Sequence, residues 1–142
     1  MRYFLALLLL ILPSPPPLTV EVNANPPIVA PGQSIAAIVG IRRNAADTAD
    51  VSVRIQVDPD LEILSFGTWG DTCAREGQLI ACVVTVRAGE GALIGLSLRA
   101  ASSTCCAPYR LHIEARTKFS DEMSSDDLLI LPNRCVLFVP LA

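Results

Sequence analysis

A chain of 142 residues is long enough for one domain with a real core and too short for two of ordinary size. Its residues are 51% apolar yet only 5% aromatic, in brief Ala, Val, Ile and Leu runs punctuated by 11 prolines and 8 glycines, which excludes a long helix or coiled coil and favours an all-β sandwich or barrel. A net charge of −3 with scattered basic residues excludes an electrostatic footprint for nucleic acid or an anionic membrane surface.

Met1 to Leu12 places one basic residue before an unbroken apolar run, which Pro13-Ser14-Pro15-Pro16-Pro17 stops. A spanning helix needs about 20 apolar residues, so residues 1–17 read as a signal peptide with a Pro-rich end, and an uncleaved anchor is the alternative. Cleavage after Val22-Asn23-Ala24 would delete the first strand; a cut near Ser14 keeps it. Export gives the five cysteines an oxidising compartment in which disulfides persist.

Leu18 to Val22 alternates and begins the fold. Asn25-Pro26-Pro27 and Ala30-Pro31-Gly32-Gln33 are turn chemistry, and Ile28-Val29 between them fits a short edge strand, where proline does least harm. Ser34 to Arg42 sets Ile35, Ala37, Val39 and Ile41 on one face. The polar tract Asn44 to Asp50 reads as a loop, after which Val51, Val53, Ile55 and Val57 alternate with Ser52, Arg54 and Gln56 as a half-buried strand. Asp58-Pro59-Asp60 ends it, Leu61 to Phe66 forms the next, and Gly67-Thr68-Trp69-Gly70-Asp71 leads into a hairpin.

That hairpin carries the clearest geometric expectation. A two-residue type II′ turn at Gly77-Gln78 pairs Glu76 with Leu79, Arg75 with Ile80, Ala74 with Ala81 and Cys73 with Cys82. The cysteines then fall on an open pair with Cα atoms about 4.5 Å apart, within the roughly 4.4–6.8 Å that a disulfide bridges. A metal site would need two further ligands, and the chain has neither a CxxC nor a second histidine. Of the other cysteines, adjacent Cys105 and Cys106 are poorly placed to bridge each other. One of them is expected to reach Cys135, and the other to be free or to link a disulfide-bonded dimer.

Beyond the Ala88-Gly89-Glu90-Gly91 turn, Ala92, Ile94, Leu96, Leu98 and Ala100 share one face. Tyr109, Leu111, Ile113, Ala115, Thr117 and Phe119 then alternate with Arg110, His112, Glu114, Arg116 and Lys118, a regularity that pins register because a one-residue slip would send the charged row into the core. Ser120 to Asp127 reads as an exposed acidic loop. Leu128 to Leu131 and Cys135 to Val139 read as a final strand or strand pair broken at Pro132-Asn133, within a C-terminal segment 128–142 that is too interrupted to span a membrane.

The Pro31-Gly32-Gln33-Ser34 turn, the strand ending in Asn44, Val51-Ser52-Val53, the Cys73 and Cys82 pair, Ala88 to Gly91 and the loop rich in Asp and Ser resemble the bacterial conserved repeat domain. That family is catalogued as Domain of Unknown Function 11 and is related to the cell-adhesion domain CARDB. The resemblance covers residues 18–127 and implies an immunoglobulin-like antiparallel β-sandwich of about seven to nine strands with a structural or adhesive role at the bacterial cell surface. The chain departs from the family at Asn44-Ala45-Ala46-Asp47 and at Val57-Asp58-Pro59-Asp60-Leu61, and it holds one copy of a unit that usually occurs in tandem.

Catalytic templates find little to use. The single histidine, His112, sits on the charged face of its strand, whereas a triad needs an oriented, partly buried one. Gly89-x-Gly91 has no helix pattern behind it to bind phosphate. Asp58 with Asp60 and Asp121 with Glu122 match no calcium loop and read as solvated turns. The expectation is therefore a secreted, non-catalytic module without cofactor or metal that binds a protein or cell-envelope partner and not nucleic acid. The alternative is a small-ligand or carbohydrate module using Trp69 and neighbouring loops.

Overall fold

The computed structural model describes residues 17–68, 71–101 and 107–133. Residues 1–16 of the signal segment, Trp69, Cys105, Cys106, Cys135 and the Cys135–Val139 strand lie outside the described residues.

Ten strands follow one another without a helix among the described residues: β1 (Leu18–Asn25), β2 (Ile28–Val29), β3 (Ser34–Arg43), β4 (Ala49–Val57), β5 (Leu61–Thr68), β6 (Thr72–Glu76), β7 (Leu79–Val86), β8 (Gly91–Ala100), β9 (Tyr109–Thr117) and β10 (Met123–Pro132). They form a four-stranded sheet in the order β1-β3-β8-β5 and a six-stranded sheet in the order β2-β10-β9-β4-β7-β6. Period-two alternation decides which residues face inward. Ile35, Ala37, Val39 and Ile41 of β3 and Ile94, Leu96 and Leu98 of β8 meet Val51, Val53, Ile55 and Val57 of β4 and Leu111 and Ile113 of β9 in one core.

The fold is the expected sandwich with two differences of detail. The count is ten because two-residue β2 and the short β6 both pair, and β2 joins β10 in parallel rather than antiparallel fashion, with Leu131 opposite Ile28. The larger correction concerns the acidic tract. Residues 123–127 are not loop but the first half of β10, paired with β9 from Met123 opposite Arg116 to Asp127 opposite His112. β10 therefore runs unbroken through Asp127-Leu128 into Leu128 to Leu131, which the sequence reads as a final strand.

Tertiary contacts explain why residues of low strand propensity extend there. β1 is an edge strand of the small sheet, and its Val20 and Val22 amides donate to Ser124 Oγ at 3.2 Å and Asp126 Oδ2 at 3.0 Å. Polar side chains of the large sheet thus take the place of a backbone neighbour. The opposite edge, β5, is treated alike: Arg75 donates to the Ile63 carbonyl at 3.3 Å, and Gln78 Nε2 donates to the Asp58 and Leu61 carbonyls, each at 2.8 Å. Side-chain capping of both edges discourages addition of a further strand to the small sheet. Its outer face and the loop ends are left as surfaces for contact.

Candidate functional site

At one end of the sandwich β3 runs on to Arg43, whose parity points it inward like Ile41, and the residue is 9% exposed. A buried guanidinium must be paired. Arg43 Nε and NH2 donate to the two carboxylate oxygens of Glu122 at 3.1 and 2.9 Å, and NH1 donates to Asp47 Oδ1 at 2.7 Å and to the Asp47 carbonyl at 3.0 Å. Ser120 Oγ donates to Glu122 Oε2 at 2.7 Å, and Thr117 Oγ1 bonds Ser120 in turn. The hydrogen bonds to Glu122 and then to Asp47 hold the Arg43 pKa above its ordinary value. Arg43 correspondingly lowers both carboxylates. The constellation locks the β3–β4 loop to the β9–β10 turn as a clamp, and the Ser120 hydroxyl within it donates to a Glu122 oxygen that Arg43 already holds. The sequence carried its signal: the inward parity 35, 37, 39, 41 simply continues to 43.

His112 is the second cluster. It lies on the outer face of the large sheet, where Nδ1 is 2.6 Å from Asp127 Oδ1 and Nε2 is 3.1 Å from Glu114 Oε1. Asp127 first and Glu114 second raise its pKa. With both ring nitrogens engaged by carboxylates, neither is directed at a substrate proton as a general base requires. Among the described residues no group of three His, Cys, Asp or Glu is arranged to hold a metal.

The remaining candidates from the sequence divide plainly. Cys73 and Cys82 are bridged, with Cα atoms 4.1 Å apart, across a hairpin in the register 72/83 to 76/79. Gly77 turns it with φ of 61°, the left-handed region that glycine tolerates. Asp58 and Asp60 do not form a cation site, because Asp58 accepts the Asp60 amide and the Arg110 amide, each at 2.9 Å. Glu122 is taken up by Arg43 and is separated in role from Asp121.

The outer face of the small sheet is the feature that sequence reasoning did not single out. Ile38 and Leu93 project from it, 52% and 63% exposed. Register sets each beside a glycine, Ile38 opposite Gly95 and Leu93 opposite Gly40. The result is an open groove of about 860 Å³ with Glu21, Arg42 and Glu90 among the residues around it and, among the described residues, no aromatic ring in its lining. Apolar side chains beside bare backbone make a surface suited to contact rather than to chemistry.

No family model and no curated protein sequence matches the chain. Solved structures do. The major pilin SpaD of Corynebacterium diphtheriae superposes with a TM-score of 0.62 at 6% identity over 79% of this chain and 34% of the pilin. The N-terminal domain of the Streptococcus gordonii adhesin Sgo0707 gives 0.61 at 12% over 82% of this chain and 32% of that one. A chain of a type I cohesin–dockerin complex from Clostridium thermocellum gives 0.54 at 9% over 75% of this chain and 96% of that one. The chain thus spans about a third of the pilin and adhesin structures and nearly all of the cohesin-complex chain. The protein is an immunoglobulin-like β-sandwich, and at these identities the likeness speaks for the fold alone.

Proposed function

We propose that the protein is a secreted, non-catalytic module of the bacterial cell surface, structural or adhesive, that engages a protein or another component of the envelope, in line with its resemblance to the conserved repeat domain and CARDB. The observation that carries this reading is the architecture: a sandwich of the kind used in a pilin, an adhesin and a cohesin–dockerin complex. Its one histidine is locked between two carboxylates. Among the described residues the groove's lining holds no aromatic ring on which a sugar could stack; Trp69 remains the residue on which the carbohydrate alternative rests.

The test is a binding isotherm of the full chain on washed envelopes of its host, before and after protease treatment of those envelopes. Saturable binding is expected, and its loss after proteolysis identifies a protein partner. A chain that binds no envelope fraction overturns the proposal.

A further inference from the structure

We infer that the outer face of the β1-β3-β8-β5 sheet is a non-covalent homodimer interface in which Ile38 of each copy packs on the Gly95 position of the other and the two Leu93 side chains meet between them. This goes beyond the adhesive reading and does not depend on which envelope component the protein engages.

The inference starts from the register. Antiparallel β3 and β8 are paired about Val39 opposite Ile94, with Ile38 opposite Gly95 on one side and Gly40 opposite Leu93 on the other. A local two-fold normal to the sheet therefore relates Ile38 to Leu93 and Gly40 to Gly95: two projections and two bare-backbone positions on alternate corners of a square. Such a pattern is its own complement. A second copy turned by half a revolution about an axis running along the strands, midway between β3 and β8, lays its β3 over this β8. Ile38 of each copy then falls on Gly95 of the other, and Leu93 of each falls on Gly40 of the other.

The space at these positions differs. A Cβ built on Gly95, or on Gly67 beside it, meets nothing within 4 Å, so the recess that receives Ile38 is open. Leu93 leans across Gly40, its Cδ2 3.7 Å from where a Cβ would stand, so the two Leu93 side chains meet near the axis. Face-to-face packing of sheets at about 10 Å with strands nearly aligned is an ordinary arrangement.

Charge agrees with the same operation. Arg42 lies opposite Gly91 in register, and among the described residues no salt bridge engages Arg42 or Glu90, whereas Arg99 on the same sheet is paired with Glu62. The half-turn carries Arg42 of one copy over Gly91 of the other, next to its Glu90. Two reciprocal Arg42–Glu90 pairs lie side by side at one end of the apolar centre, beyond the Gly40–Leu93 level, a complementarity that favours a second copy over an unrelated surface.

Area sets the strength. Four strands at about 4.8 Å spacing and about eight residues at roughly 3.3 Å give about 500 Å² in projection, near the ~600 Å² per partner at the small end of specific interfaces. The dimer is accordingly weak, forming in the micromolar to submillimolar range.

The experiment is sedimentation equilibrium of the full chain recovered from its host, free thiols alkylated and covalent dimers excluded on a non-reducing gel, from about 1 µM to about 1 mM. A reversible monomer–dimer equilibrium is expected. Leu93→Asp and Gly95→Val should each weaken it by about tenfold or more, as loss of a central contact does. Val83→Asp, on the outer face of the other sheet, should leave it unchanged. Arg42→Glu should weaken dimerisation, and Arg42→Glu with Glu90→Arg should restore it, which a merely unfolded variant would not do. A monomer throughout the range overturns the inference. So does a dimer insensitive to Leu93→Asp and Gly95→Val, or a charge reversal without rescue.

Discussion

The Arg43–Glu122 pair shows how a single residue can decide the end of a sandwich. Glu122, whose side chain is 14% exposed, meets Arg43 through two parallel hydrogen bonds, the strongest geometry available to that pair. Replacing Glu122 by Gln removes the inner of the two carboxylates on the buried guanidinium and leaves it only the exposed Asp47. The expected loss is about 2–3 kcal/mol at neutral pH, somewhat below that of a fully buried pair, and urea unfolding measures it. The pH dependence has a definite sign. The folded carboxyl titrates below its ordinary 4.5, so its stabilisation is present above that pH and disappears as pH falls through the lower folded value. Glu122→Gln should flatten that acid limb, and an unchanged limb would remove the clamp from the account. His112 runs the other way. Its raised folded pKa stabilises fully below the ordinary 6.5 and is lost as pH climbs through the folded value. The side chain is 43% exposed, so the gap between the protein and His112→Gln should be no more than about 0.5 kcal/mol at pH 6 and close to nil at pH 9, read as paired thermal midpoints.

Among the elements, the β6–β7 hairpin is held by its bridge and β10 by its side chains. Cys82 is buried while Cys73 lies at the margin of the core, so the bridge ties an outer edge strand to an inner one. Cys73→Ala with Cys82→Ala should lower stability by about 2–3 kcal/mol on the chain-entropy picture. Equal denaturation midpoints for this variant and the parent would show that β6 is held by its hydrogen bonds alone. The hairpin was legible in sequence because a two-residue turn sets its own register from local information. β10 was not. Ser124, Ser125, Asp126 and Asp127 carry turn propensity, and nothing nearby in the chain says that Ser124 and Asp126 will meet the amides of Val20 and Val22, 104 positions away.

For the whole molecule, alternation in β3, β4, β8 and β9 was enough to foresee two sheets around one core, since a face that alternates has to bury its apolar half. The candidate surfaces were less readable. Ile38 and Leu93 each look like ordinary strand residues, and Gly40 and Gly95 like weak points of their strands. Only the antiparallel register of β3 with β8 sets projection beside glycine and gives the small-sheet face its two-fold pattern. Capping of both edges of that sheet by Ser124, Asp126, Arg75 and Gln78 then leaves the face, rather than the edge, as the surface on which association is expected. By itself the sequence determined the class of fold, most strand positions and the hairpin that joins Cys73 to Cys82, because each follows from periodicity or from a turn within a few residues. The tertiary structure alone decided that Arg43 is clamped, that the acidic tract is a strand and that the small-sheet face is self-complementary. Each of these depends on which distant strands lie side by side, and that is settled by the packing of the whole chain.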